Sequence, residues 1–263
     1  MNLLEDPFIQ NLNARLFQPG VIGLAITGSY ARGEQDQKSD VDVNIFVDTL
    51  PEEVYTLRIF NGKLVSLKYI RLQDEFFSLT KPESAVWAVP GLRQLRILAD
   101  DSGQIAKLKQ AAYEFNWSEL QAAANDYAIK DMMGCSEEAH KILGGLLQKN
   151  ESKVLYAAWG MFKNLSFAAA VQAGLMIESE NKLFSLMQEH FSNNPKWVRA
   201  FRLSFGMDVN PDHLAYQVRG RAALDLYEQT ALLFEKIMTD EHREVIENTL
   251  QLIAAYKESY PYD

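Results

Sequence analysis

The spacing of apolar residues changes near residue 115. Before that point, short runs rich in Val, Ile, Phe and Tyr alternate with helical patterns; beyond it, apolar residues recur at three- and four-residue steps. Residues 3–17 set Leu3, Leu4, Phe8, Ile9, Leu12 and Leu16 on one face of an amphipathic helix, which Gln18-Pro19-Gly20 ends. Residues 21–27 are apolar almost throughout, as in a strand buried on both faces, and 41–47 predict a second strand. In VYTLRIF-NG-KLVSLKYI, two β-rich runs flank Asn61-Gly62, a strong hairpin signal. A two-residue turn there sets Phe60 opposite Lys63 and pairs Leu57 with Ser66 and Tyr55 with Lys68 on one face. Segment 71–80 reads as a short helix or loop, 92–99 as a further strand, and 101–115 as a helix with Ile105, Leu108 and Ala112 inward.

From Trp117 onward no segment reads as a strand. Ser118-x-x-Gln121 has the form of a capping box, and helical patterns follow over 118–149, 152–174, 180–192, 195–205, 211–238 and 240–258. Short breaks between long amphipathic helices predict an antiparallel bundle. The expected fold class is therefore α+β, with a mixed-sheet domain over 1–116 and an all-α helical bundle over 117–263.

Composition narrows the function classes. Hydrophobic content of 48% with 23% charged residues suits a globular chain with a full core. A net charge of −9 argues against a non-specific nucleic-acid binder, so no nucleic-acid partner is expected. Cys135 is the single cysteine, which excludes an internal disulfide and a cysteine metal site. The N-terminus lacks the basic and apolar regions of a signal peptide, and the apolar stretch 165–177 is short and interrupted by Gln172. The expected location is the cytoplasm, with no membrane partner.

The candidate chemistry lies in 21–47. The first strand ends in Thr27-Gly28-Ser29, a polar loop follows, and Asp40-Val41-Asp42-Val43 opens the second strand. Side chains alternate along a strand, so Asp40 and Asp42 share a side, about 7 Å apart. Two parallel carboxylates suit a hard divalent cation such as Mg2+, and Gly28 lets backbone approach a bulky anion such as phosphate.

Gly28-Ser29, ten further residues and then Asp40-x-Asp42 within an apolar strand resemble the signature of the nucleotidyltransferase superfamily typified by DNA polymerase β. The two-part layout is similar to that of the antibiotic nucleotidyltransferases acting on aminoglycosides and lincosamides. The resemblance implies that Gly28 and Ser29 bind the triphosphate and that Asp40 and Asp42 hold Mg2+. It also implies a helical domain that binds the acceptor. The implied reaction moves AMP from ATP to a hydroxyl of a small molecule such as an aminoglycoside-like antibiotic. Arg32 stands in the loop where a guanidinium forks onto phosphate, and Lys68 stands on the strand face where it would meet one. A solvated charge is the plain alternative for each.

One position departs from the family pattern. A third carboxylate flanked by apolar residues is expected on a later strand, and Val65-Ser66-Leu67 stands in its place. Ser66 can contact the nucleotide, but it is no general base at neutral pH and a poor Mg2+ ligand. The proton acceptor must then come from elsewhere, and Glu138 is the candidate. On a helix over 118–149, Glu138 and Asp131 lie on one edge of the apolar face, with Glu137 toward solvent. The plain alternative is an i,i+3 pair of Glu138 with Lys141. Trp87 and Trp117 read as core anchors and Cys135 as a buried small residue; Arg93 or Arg96, near the late strand, is a candidate to reach the triphosphate, with an ordinary surface arginine the commoner case. Two other readings stay open: a nucleotide-binding or regulatory protein without turnover, and nucleotidylation of a protein.

Overall fold

The computed structural model describes residues 3–261. Contacts divide the chain into two units. The first runs to Leu120 and takes in Met176–Glu180; the second comprises Gln121–Leu175 and the residues from Asn181 onward. The sequence reading puts the boundary at 116/117; the contacts divide the chain after Leu120 and return segment 176–180 to the first unit.

The first unit is built on a five-stranded mixed sheet: β1 (Val21–Ile26), β2 (Val41–Val47), β3 (Tyr55–Phe60), β4 (Lys63–Arg71) and β5 (Arg96–Ala99), in spatial order β3-β4-β2-β1-β5. β2 and β4 run parallel; the other neighbours are antiparallel. The hairpin has the expected register, with Phe60 opposite Lys63, Leu57 opposite Ser66 and Tyr55 opposite Lys68. Its turn residues Asn61 and Gly62 both have positive φ, at 48° and 77°, as a type I′ turn requires.

One sheet face packs Leu24, Ile26, Val41, Val43, Ile45, Val65 and Leu67 with Ile9 and Leu12 of α1 (Pro7–Leu16). α1 starts where Asp6 accepts a hydrogen bond from Phe8 N at 2.8 Å, with Pro7 at the first helical position. The other face packs Ala25, Phe46 and Ile70 against Leu72 of α3 (Leu72–Ser78), Leu92 of α4 (Pro82–Gln94), and Ile105 and Leu108 of α5 (Gln104–Glu114). The short α2 (Gly28–Arg32) follows β1 directly.

α4 departs from the sequence reading, which has no element between 80 and 92 and starts a strand at 92. Helix continues through Gln94, and strand pairing begins only at Arg96. Pro82 and Pro90 obscure the helix in the sequence, yet the first occupies the N-terminal turn, where an N–H has no helical partner. Pro90 sits inside and has no N–H to give the Val86 carbonyl. That carbonyl instead accepts a hydrogen bond from Ile177 N at 2.7 Å, which fastens the returning segment 176–180 to the first unit.

The second unit is helical: α6 (Gln121–Leu147), α7 (Glu151–Gln172), α8 (Glu180–His190), α9 (Pro195–Phe205), α10 (Ala215–Phe234) and α11 (Asp240–Ser259). α8 begins at Glu180, the last residue of the returning segment. No strand occurs among the described residues of this unit. The expected cap at Ser118 is a correction: residues 117–119 form a 3₁₀ turn in which Asn116 Oδ1 accepts from Ser118 N, and α6 starts at Gln121. α7 spans 22 residues and is long and apolar enough to cross a membrane by composition, which the reading of 165–177 missed; 56% of its apolar window is buried within the protein.

Close helix packing depends on two small residues. A Cβ at Gly145 would stand 2.7 Å from Val154 Cγ2, and one at Gly220 would stand 2.4 Å from Val154 Cγ1. Gly134 on α6 has open space around it. Gly220→Ala is therefore expected to destabilise by about 1–3 kcal/mol through overpacking, while Gly134→Ala stabilises by roughly 0.5–1 kcal/mol through helix propensity. Chemical denaturation of the two variants checks the opposite signs.

Candidate functional site

Parallel pairing of β2 with β4 sets Asp42 beside Ser66, Asn44 beside Lys68 and Phe46 beside Ile70. These three rungs share one sheet face because side chains alternate along each strand. Phe46 and Ile70 enter the core under Leu92, whereas the polar rungs open into a cavity of about 820 Å³. Its walls include Thr27, Asp42, Ser66, Lys68, Glu75 of α3 and Trp87 of α4. That volume lies in the usual range of small-molecule sites.

Gly28 fits this site for two reasons. Its φ is +63°, and a Cβ placed there would stand 2.0 Å from Asp42 Oδ2. The Asp42 carbonyl also accepts a hydrogen bond from Thr27 N at 2.9 Å, so the backbone before the glycine is tied to the aspartate strand. A side chain at position 28 would force the loop off the carboxylate.

Burial pushes the Asp42 carboxyl above its ordinary range, and the charge of Asp40 pushes it the same way; the Ser66 hydroxyl donating to it and the Arg32 guanidinium act in the opposite direction. A half-buried carboxylate next to another carboxylate carries excess negative charge, which a divalent cation would relieve. Asp42 stands on the cavity wall with the charge of Asp40 acting on it, and a carboxylate pair of this kind has the oxygen donors that Mg2+ would take, with phosphate oxygens and water left to complete a shell. No cluster of three or more His, Cys, Asp or Glu side chains with metal-binding geometry occurs among the described residues. Ser66 is 7% exposed, so its hydroxyl serves the Asp42 carboxylate rather than bulk solvent.

The other sequence candidates lie as follows. Ser29, on α2, is half-buried, and its carbonyl accepts from Glu34 N at 2.9 Å. Arg32 places Nε 2.6 Å from Glu34 Oε2 and directs Nη1 to the Glu178 carbonyl at 3.4 Å, so its guanidinium is partly engaged. Lys68 is exposed at the cavity wall. Asp40 immediately precedes β2 and is half-buried.

Glu138 belongs to the helical unit. Its Oε1 accepts from Lys141 Nζ at 2.7 Å, the i,i+3 pair weighed from the sequence, and its Oε2 is buried without a hydrogen-bond partner. Glu137 is exposed, as expected. Asp131 lies on the same helix, its carboxyl raised by burial against the pull of Lys163 and Tyr127. Between them Cys135 is buried, and burial pushes its thiol up to about 12, with both acids adding to the shift.

Arg93 and Arg96 each have one guanidinium nitrogen engaged with a backbone carbonyl. Arg93 Nε donates to the Ala112 carbonyl at 2.8 Å, and Arg96 Nε donates to the Ala31 carbonyl at 3.0 Å. Trp87 is half-buried on the cavity wall rather than a core anchor. Sequence reasoning missed Glu75, Glu83 and Glu180, which share that wall. The available signal for Glu75 was its distance of four residues from the end of the hairpin strand, in a segment too short to show a helical period.

Residues 10–131 match the family model of the nucleotidyltransferase domain. No curated protein matches the chain. The chain is similar to a solved structure, a nucleotidyltransferase-like protein from Exiguobacterium sibiricum 255-15, at 12% identity and a TM-score of 0.49, over 96% of this chain and 90% of that one. The family match makes the N-terminal part of this chain a nucleotidyltransferase domain, as the Gly-Ser and Asp-x-Asp resemblance implied, and it supports nucleotidyl transfer as the general activity.

Asp42→Asn removes one charge of the pair and with it the cost of burying that carboxylate, which thermal denaturation reads. The same variant is expected to melt higher at neutral pH by roughly 1–2 °C. That is less than the roughly 2–4 °C of a full kcal/mol in a chain of this size, because the half-exposed carboxylate is partly screened.

Proposed function

We propose that this nucleotidyltransferase domain binds ATP with Mg2+ and transfers AMP to a hydroxyl of a small molecule, with an aminoglycoside-like compound as the model acceptor. The observation that carries the reading is the Gly28–Asp42 approach, in which a glycine packs against one carboxylate of a half-buried pair. Asp40 and Asp42 would hold the metal; Gly28 and Ser29 would bind the triphosphate, with Arg32, Ser66 and Lys68 beside it. When bound, Mg2+ supplies charge neutralisation on the phosphates. The chain's own part is to hold the carboxylates parallel, keep side-chain bulk away from position 28, and bring a cationic group to the phosphates.

Ser66 favours a second reading, a nucleotide-binding protein that does not turn over, because the third carboxylate position holds a hydroxyl already committed to Asp42. One assay separates the readings. The purified protein is incubated with ATP, Mg2+ and a panel of aminoglycosides and lincosamides, and pyrophosphate is measured. Release that depends on acceptor and Mg2+ is expected. ATP binding without pyrophosphate from any acceptor would leave only the non-catalytic reading, and label from α-phosphate-labelled ATP retained on protein would identify a protein target.

A second expectation concerns position 28. Gly28→Ala should weaken Mg2+·ATP binding about tenfold or more and lower the melting temperature by roughly 2–6 °C, because Ala is strained at φ +63° and its Cβ would meet Asp42 Oδ2. An unchanged affinity in that variant would remove the glycine from the nucleotide site.

A further inference from the structure

The transfer reading requires a group that accepts the proton of the attacking hydroxyl, and residue 66 cannot supply it. Four residues after β4 ends, α3 divides two neighbouring acids between opposite duties. Asp74 is spent on the surface, where Arg71 donates to it twice, from Nε at 3.0 Å and from Nη2 at 2.6 Å. Glu75 turns the other way and lines the cavity that also holds Asp42, Ser66 and Lys68. Among the described residues its carboxylate has only a long hydrogen-bond contact, with Ser78 Oγ at 3.5 Å, because that hydroxyl donates its proton to the Glu75 carbonyl at 2.7 Å. Glu75 is thus a cavity carboxylate with hydrogen-bonding capacity to spare.

Resting on the transfer reading above, we propose that Glu75 is the catalytic base of this protein, taking the proton from the acceptor hydroxyl in place of a carboxylate at position 66. The hydroxyl oxygen forms a bond to the α-phosphorus of ATP, the bond from that phosphorus to pyrophosphate breaks, and the hydroxyl proton passes to Glu75 and then to water. The charged groups around Glu75 suit that role. Lys68 on β4 stabilises its anionic form, while burial and the neighbouring Asp74 favour the protonated form. Asp42, Glu83 and Glu180 stand elsewhere on the same wall. The balance raises the carboxyl above its ordinary range, with burial the largest cause. A base that binds its proton more tightly is the more effective acceptor, provided it is ionised at working pH. Glu138, the carboxylate favoured by sequence, is held by the Lys141 ammonium in the helical unit.

The test compares wild type, Glu75→Gln and Glu138→Gln in Mg2+·ATP affinity by calorimetry and in pyrophosphate release with kanamycin and, separately, water as acceptor, across pH. Glu75→Gln is expected to keep ATP affinity within about threefold and to lower kcat by roughly 10²-fold or more. Wild-type kcat should fall as pH drops through the raised Glu75 range, and that acidic limb should vanish in Glu75→Gln. Glu138→Gln should retain both rate and limb. Full kcat in Glu75→Gln, or loss of rate confined to Glu138→Gln, overturns the assignment while leaving nucleotidyl transfer intact. Wild-type protein that binds ATP yet releases no pyrophosphate with either acceptor overturns the assignment together with the transfer reading.

Discussion

The parallel register between β2 and β4 is the constraint on which the nucleotidyltransferase unit depends. Parallel neighbours carry their side chains past one another at matched height, so each residue of one strand fixes a partner on the other. Along the shared face the rungs run from Asp42–Ser66 through Asn44–Lys68 to Phe46–Ile70. One end is a polar cavity and the other is core, within three rungs. A slip of one residue would turn Asp42 into the apolar face occupied by Val41 and Val43 and drive an ionised carboxylate into it. The same packing that makes the sheet stable therefore fixes where the carboxylate stands.

The site carries a stability cost typical of binding pockets. Asp42 and Glu75 are both raised by burial, so each favours its protonated form in the folded chain. For such groups folding binds protons. Their penalty is absent below the ordinary carboxylate range, grows as pH rises through the raised one, and is fully present at neutral pH. A protein selected for stability alone would neutralise those positions. Ser66 is consistent with that tension: a hydroxyl beside Asp42 donates a hydrogen bond where another carboxylate would add repulsion.

How much of this was legible in the sequence follows from the range of the interactions involved. The hairpin register was readable because Asn61-Gly62 fixes turn type and length locally. The Asp-x-Asp strand was readable because alternation is a local property, and the helices of the second unit because their periods run for many residues. α4 was not, since Pro90 signals a break unless another segment satisfies the carbonyl it frees, and that partner, Ile177, lies 87 residues further along. Glu75 was hidden for a related reason. Seven residues of helix show too little period to tell which acid faces the cavity and which faces Arg71. The strand position of Ser66 could be read from the hairpin, but the hydrogen bond that employs its hydroxyl could not.

The Val86–Ile177 hydrogen bond bears on what the nucleotidyltransferase unit consists of. The segment it fastens comes after α7 and leads into α8, and it brings the Glu178 carbonyl to Arg32 and Glu180 to the cavity wall. The first unit is therefore topologically incomplete in any fragment that stops near residue 120: one wall residue, one guanidinium partner and the cover for a proline-freed carbonyl are encoded more than fifty residues later. Sequence order and structural membership part company there, and the sheet-bearing unit of this chain is assembled from two separate stretches of sequence.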